Sequence, residues 1–412
     1  MRRVVVTGLG LITPLGNDVA STWESLVAGR SGLGLVTRFD ASAYEHPIAA
    51  EVKGFEATDY VDAKLARRID LSSAYALATS QQAVTDAALD VSAEDPSRVG
   101  VLLGTGMGSA HLIVEQQRIL DEKGPRRISP FLTSHMLPDT ATGLVAIALG
   151  ARGPNFAVTA ACATGGAATG EAAEMVARGD ADVMVAGGYE APLQPIYYAG
   201  FNAMKALAEH ADPAKAVRPF DLNRNGFILG EGGGVLILEE LEHARARGAR
   251  IYAEWRGAGT SNDAYDMVAA AEDGHGVVQA MRDAMRRAGL DATGVDYINA
   301  HGTGTALNDR VETRAIREVF GEHADGLMVS STKSMHGHMM GAAGAVEAAI
   351  ATLVCHHGVV PPTINYETPD PDCDLDIVPN EARTADVRAA MSTSVGLGGH
   401  NSAIIFSKWE HE

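Results

Sequence analysis

The sequence predicts a layered α/β fold in which sheets are covered by helices on both faces. Three observations predict it. Short runs rich in Val and Ile, several ending in Gly, alternate with longer Ala-rich segments along the 412 residues, the rhythm of buried strands and the helices that cover them. Aromatic residues make up only 5% of the chain while glycines number 45, so the core is built from aliphatic and small side chains, which suits close helix-on-sheet packing. A helix–strand–turn unit also occurs twice.

In chain order, residues 4–6, 99–103, 183–186, 297–299, 328–330 and 403–406 read as buried strands. Residues 71–89, 171–178, 277–288 and 342–354 read as helices. In the first half, a helix leads through Ala88-Leu89-Asp90 to residues 99–103 and the turn Gly104-Thr105-Gly106. In the second, a helix leads through Gly289-Leu290-Asp291 to residues 295–299 and Gly302-Thr303-Gly304. Two similar halves, 1–250 and 251–412, are the simplest account; chance likeness between two βα loops is the alternative that the repeat alone leaves open. No low-complexity linker separates the halves, so they are expected to share an extensive interface.

Composition removes several classes of function. A formal net charge of −19 argues against nonspecific binding to nucleic acid or to an anionic membrane surface, while leaving room for a small basic patch. The three cysteines, Cys162, Cys355 and Cys373, form no CxxC and no metal-like spacing, which argues against a disulfide framework or a zinc site. Met1-Arg2-Arg3 followed by Val4-Val5-Val6-Thr7-Gly8 is too brief an apolar run for a signal peptide. No apolar stretch approaches the roughly 18 residues that a membrane span needs. A reducing cytoplasmic location is the expectation.

Five segments could carry chemistry. Gly8-Leu9-Gly10 after a strand invites a dinucleotide-binding reading, but Thr13 stands where the third glycine belongs and Pro14 follows, so a structural turn is expected. In Thr159-Ala160-Ala161-Cys162-Ala163-Thr164-Gly165-Gly166, Cys162 falls at a strand-to-helix turn, where free N–H groups and the helix dipole favour a thiolate. In Asn299-Ala300-His301-Gly302-Thr303-Gly304-Thr305, an imidazole and two hydroxyls sit at a strand's C-terminal end, where α/β folds place ligands. Ser331-Thr332-Lys333-Ser334-Met335-His336-Gly337-His338 leads into an Ala/Gly-rich helix carrying Glu347; a buried Glu347 needs a cation, and Lys333 is the nominee. The glycines of Ser394-Val395-Gly396-Leu397-Gly398-Gly399-His400-Asn401 form a loop whose N–H groups can face a bound group. Taken singly, each also fits a structural role: a buried cysteine, a satisfied loop histidine, a solvated lysine, a glycine turn. Cys355 and Cys373 have no comparable setting and are read as structural.

In this order the motifs strongly resemble the β-ketoacyl-acyl-carrier-protein synthases of the elongating, type II kind, and the ketosynthase subunits of type II polyketide systems. The likeness runs from VVVTGLGLITPLG through PFDLNRNGFILGEG and PPTINYETPDPDCDLDIVPNEAR to the end. It implies the thiolase fold, a five-layer α-β-α-β-α sandwich of two similar halves, usually dimeric, either as a homodimer or with a chain-length-factor-like homologue. It implies decarboxylative condensation of an acyl group held on Cys162 with a malonyl thioester, both delivered by acyl carrier protein. His301 and His338 would bind the malonyl thioester carbonyl, with Lys333 and Glu347 as a supporting pair. The N–H groups of Cys162 and Leu397 would form the oxyanion hole, and Thr303 and Thr305 would hold the pantetheine arm. No metal or redox cofactor is implied, since phosphopantetheine arrives on the carrier. Lys64, Arg67 and Arg68 cluster where the family docks that acidic partner.

The chain departs from the family pattern in two places. Val395 and Leu397 replace both phenylalanines of the usual Phe-Gly-Phe-Gly-Gly gate, which puts ordinary fatty-acid gating in doubt, and Asn225 stands where Asp is usual. An unusual acyl chain, unsaturated or polyketide, is the expectation that follows. Chain-length factors lack the nucleophile that is present here. A thiolase would place a second cysteine in the C-terminal glycine loop, where this chain has none. A non-catalytic carrier-binding scaffold is the reading from a different class.

Overall fold

The computed structural model describes residues 1–410. The first half contributes strands β1 (Val4–Ile12), β2 (Val99–Gly104), β3 (Asn155–Val158), β4 (Val183–Glu190) and β5 (Gly232–Glu240). The second contributes β6 (Ala253–Asn262), β7 (Tyr297–Asn299), β8 (Met328–Ser330), β9 (Asp376–Ile377), β10 (Ala389–Gly396) and β11 (His400–Lys408). They form one ladder in the order β9-β8-β7-β10-β11-β6-β1-β5-β4-β2-β3.

Read outward from the middle, the two sides repeat each other. β2 pairs parallel with β3 and β4, β4 pairs antiparallel with β5, and β5 pairs antiparallel with β1. Likewise β7 pairs parallel with β8 and β10, β10 antiparallel with β11, and β11 antiparallel with β6. The sides join where Val4, Val5 and Val6 face Trp255, Glu254 and Ala253.

Helices complete five layers. α1 (Leu71–Asp86) covers the outer face of β1, β5 and β4. α2 (Thr164–Arg178) and α5 (Ala343–His357) pack against each other and touch strands of both halves, forming the middle layer. α3 (His275–Ala288) and α4 (Ala306–Phe320) cover the far face. In the middle layer the helices meet backbone to backbone. A Cβ on Gly165 would lie 2.4 Å from Ala345 N, and one on Gly344 would lie 2.6 Å from Gly166 N. Small residues are therefore required there by contact distance, not by turn geometry.

The repeat extends to detail. Past α1, Ala88 turns left-handed (φ 47°), and past α3 Gly289 does the same (φ 66°). Asp90 then accepts from Ser92 N and Oγ, as Asp291 does from Thr293 N and Oγ1. Each such Asx turn satisfies N–H groups that would otherwise be orphaned before the next strand.

Gly8-Leu9-Gly10 is no turn. It lies inside β1, because a Cβ on Gly8 or Gly10 would come within 2.2 Å of Ala83 O or 2.0 Å of Thr79 O on α1. Gly257 and Gly259 of β6 approach Ala284 O and Ala280 O of α3 in the same way, at 2.7 and 2.1 Å. β5, β6 and β10 are not among the strands the sequence predicts. β5 opens with three glycines before its short run 235–238, β6 alternates only over residues 253–256 before small and polar residues follow, and β10 mixes small and polar residues throughout, so each signal is weak.

Candidate active site

Cys162 stands in the short turn between β3 and α2. Just before it, Ala161 holds a left-handed φ of 46°, which costs a residue with a Cβ about 1–2 kcal/mol. The Thr164 hydroxyl braces that strain, accepting from Ala160 N at 2.8 Å and donating to Ala161 O at 2.7 Å. Gly396 closes on the turn from the other half: a Cβ there would lie 3.0 Å from Cys162 N and from Ala160 O.

Cys162 is 5% exposed. Burial pushes it up to about 11, outweighing the Leu397 amide and the Lys333 charge, which both pull it down. The thiolate expected from the helix terminus is therefore replaced by a resting thiol, because desolvation of the anion exceeds what those groups return.

His301 follows β7. Its loop is held by Glu312 of α4, a carboxylate with no solvent exposure. Glu312 accepts from His301 N and Gly302 N, each at 2.8 Å, and from the Thr393 hydroxyl at 2.7 Å. His338 is fixed through its backbone, donating to Ile228 O at 2.7 Å and accepting from Gly230 N at 2.9 Å. The two imidazoles meet edge to face, centroids 5.3 Å apart, and Phe227 abuts His338 at 5.2 Å. Both Nδ1 atoms are buried without a hydrogen-bond partner. Burial, then the Lys333 charge, holds both rings well below the ordinary histidine value. At neutral pH each is an uncharged ring with one N–H to donate.

Lys333 and Glu347 form a buried ion pair, with side chains 1% and 0% exposed. Burial pushes the Glu347 carboxyl up to about 7 even against that cation. His336 lies outside the cavity and is satisfied locally by Gly337 O at 2.8 Å and the Thr332 hydroxyl at 3.0 Å.

One cavity of about 380 Å³ gathers the predicted residues: Cys162, His301, His338, Thr303, Thr305, Val395 and Leu397 all line it. The Thr303 and Thr305 hydroxyls are 3.0 Å apart. A larger, more open cleft of about 680 Å³ beside Trp23 and His357 contains none of them. The glycine loop expected over residues 394–401 shortens to a Leu397–Gly399 turn, because Ser394 and Val395 remain paired with Ser402 and Asn401. That turn is tied to a neighbouring loop by Gly398 N to Met267 O and Asp263 N to Gly399 O, both 2.9 Å.

Lys64 and Arg67 are exposed, while Arg68 lies over the Phe131 ring at 4.2 Å. Asn225, also exposed, donates to Glu209 O at 3.1 Å. Cys355 and Cys373 are buried and free. Glu312 and Glu190, both fully buried carboxylates that hold loops beside the cavity, are not predicted from sequence. The available signal for Glu312 was an acid among the inward-facing positions of α4, 11 residues past His301; Glu190 had only its place at the end of an apolar strand. Among the described residues no helix is long and apolar enough to cross a membrane.

Comparison with known proteins places this geometry. Residues 1–244 match the N-terminal domain of β-ketoacyl synthases and residues 252–367 their C-terminal domain. The chain is 48% identical over 409 residues to 3-oxoacyl-[acyl-carrier-protein] synthase 2 of Staphylococcus aureus (strain COL), covering 99% of both chains. It is 48% identical over 410 residues to the protein of the same name from Synechocystis sp., again covering 99% of both. Among solved structures it superposes on the ishigamide ketosynthase/chain length factor with a TM-score of 0.92 and 36% identity, covering 99% of this chain and 100% of that one. A type II polyketide ketosynthase, bound to its acyl-carrier protein and a hexaketide, gives a TM-score of 0.91 and 36% identity at the same coverage. The fold is the thiolase fold, and the chain belongs to the β-ketoacyl synthase family.

Proposed function

We propose that the chain extends an acyl group by two carbons, condensing it with malonyl-[acyl-carrier-protein] to give 3-oxoacyl-[acyl-carrier-protein], as in fatty-acid elongation. One observation carries this reading: a thiol and two neutral imidazoles, drawn from three distant segments, share one cavity. The Cys162 sulfur attacks the acyl thioester, the bond from the acyl carbon to the carrier's sulfur breaks, and the thiol proton leaves with that sulfur. Backbone N–H groups of Cys162 and Leu397 hold the tetrahedral oxyanion. The malonyl thioester then accepts hydrogen bonds from His301 and His338 at its carbonyl. Its carboxylate leaves as carbon dioxide, and the electron pair passes into an enolate that those donors stabilise. The enolate carbon attacks the acyl-Cys162 carbonyl, a carbon–carbon bond forms, and the Cys162 sulfur departs and takes up a proton.

Burial, reinforced by the Lys333 charge, keeps the imidazoles uncharged, and Glu347 fixes and balances Lys333. Thr303 and Thr305 hold the pantetheine arm, which arrives on the carrier, so the reaction calls for no resident metal or redox cofactor. The exposed Lys64 and Arg67, with Arg68, suit an acidic carrier. We read residues 1–250 as the half that supplies the nucleophile and 251–412 as the half that supplies the histidines. Edge strand β3, with Phe156 41% exposed and nearby Ile147 80% exposed, suits a dimer, homotypic or with a chain-length-factor-like homologue. A cytoplasmic setting fits this chemistry.

A second reading is favoured by the aliphatic gate. With Val395 and Leu397 lining the cavity, the chain would act as the catalytic subunit of a pair making a polyketide or polyene. A non-catalytic carrier-binding scaffold is the remote alternative. Incubation with an acyl-carrier, followed by malonyl-carrier, separates these. Condensation predicts an acyl adduct on Cys162 alone and then a 3-oxoacyl-carrier, with polyketide intermediates marking the second reading. Cys162→Ala should abolish product, and turnover at the wild-type rate would refute the assignment.

A further inference from the structure

The repeated architecture creates two places where a turn leading into a middle-layer helix closes on the end of an eight-residue strand of the opposite half. At one, the Cys162 turn before α2 meets Gly396, the last residue of β10. At the other, the turn before α5 meets the end of β4, where a Cβ on Gly188 would lie 2.7 Å from Gly341 O. The chemistry occupies the first place. Glu190, the last residue of β4, fills the second.

Its carboxylate has no solvent exposure and takes four donors. Thr105 Oγ1 and Gly106 N lie at 2.7 Å, Gly341 N at 3.0 Å and Met107 N at 3.1 Å. These donors come from the first half's Gly-Thr-Gly turn and from the second half's histidine segment, so one side chain fastens two loops that no covalent link joins. Burying a carboxylate is tolerated only with its oxygens satisfied in this way.

The fastened residues adjoin the nucleophile. Met340 and Met107 pack in the apolar cluster that contains Cys162. Met340 holds a left-handed φ of 47°, a conformation that persists only where its surroundings over-determine it. The Glu190–Gly341 bond supplies part of that constraint, and so does the approach of Gly341 to Gly106, where a Cβ would lie 2.3 Å from Gly106 N. The cavity beside Cys162 is lined in part by Met340, an unbranched, adaptable side chain, and Met107 packs against the same cluster.

We propose that Glu190 is a positioning residue for the acyl-enzyme: by pinning the backbone at Met107 and Gly341, it sets how much acyl chain the chamber beside Cys162 accepts. This rests on the condensing activity proposed above. Glu190→Gln keeps the size but turns an NH2 toward donors that need an acceptor. In the full-length protein, acyl loading of Cys162 is measured with short to long saturated acyl-carriers, alongside KM for malonyl-carrier. The ratio of long- to short-chain kcat/KM should change by about tenfold, the effect of one methylene in an apolar pocket, with malonyl KM unmoved. An unchanged ratio, or an equal loss at every chain length, would overturn the proposal.

Should the Gln variant not fold, Thr105→Val and Thr105→Ser decide the matter. The Val variant, lacking one donor to Glu190, should shift the ratio while the Ser variant restores it; a Val variant with the wild-type ratio overturns the proposal. A wild-type chain that loads no acyl group would instead overturn the condensing reading itself.

Discussion

Replacing Lys333 by Met tests how the buried ion pair supports the site. The Lys333 and Glu347 side chains are 1% and 0% exposed, so the variant leaves a carboxyl in an apolar helix with no cation. Removing one partner of a buried pair costs about 3–5 kcal/mol, so a loss of about 4 kcal/mol is expected in urea unfolding at pH 7.

The pH dependence has a definite sign. Glu347 already lies above its unfolded value, at about 7, and losing Lys333 raises it further. A carboxyl raised by folding contributes stability that is complete below the unfolded value and disappears as pH climbs through the folded one. Wild type and variant should therefore both gain stability from pH 7 to pH 5, the variant by the larger amount. Lys333→Met combined with Glu347→Leu, which removes both charges, should return to within about 1 kcal/mol of wild type. A single variant that loses less than about 1 kcal/mol, or a double variant no better than the single, would refute this reasoning.

Three further outcomes follow from the site. Burial holds the Cys162 thiol up at about 11, so its alkylation by iodoacetamide should keep accelerating past pH 9; a plateau near pH 8 would show a thiolate that the geometry does not provide. Leu397→Phe should narrow the range of accepted acyl chains by about tenfold against polyene or branched substrates, measured as kcat/KM on saturated and polyene acyl-carriers, and identical profiles would end the gate argument. Reversing the charges of Lys64 and Arg67 to Glu should raise KM for the carrier by about tenfold at low salt and flatten its ionic-strength dependence, and an unchanged KM would remove that patch from the docking surface.

What the sequence made legible was local. Cys162, His301 and His338 each occupy a short motif at a strand's end, and the chemistry of each is visible within eight residues. The Lys333–Glu347 pair was legible because a lone acid in an apolar helix demands a cation. Glu190 and Glu312 were not, because their partners lie up to 151 residues away in the chain and the residues themselves look like ordinary acids. Gly8 and Gly10 misled for a related reason. Their requirement comes from helix α1, some 70 residues on, and a glycine's need for space reads in sequence like a need for a turn. The thiol's protonation was misjudged because a helix terminus is visible in sequence and the depth of burial is not.

The middle-layer contact has an evolutionary consequence. α2 starts beside the sulfur and α5 starts just past the imidazole segment, and where they touch, at Gly165 against Ala345 and Gly166 against Gly344, the nearest contacts are to backbone nitrogens and only the Ala345 methyl is left to shorten. Mutation can push these helices apart but has little to trim that would bring them closer, so the spacing of the reacting groups sits near a hard stop. Divergence toward new substrates is thereby channelled to the mouth of the cavity, where Val395 and Leu397 stand, and the reaction itself is inherited with the scaffold.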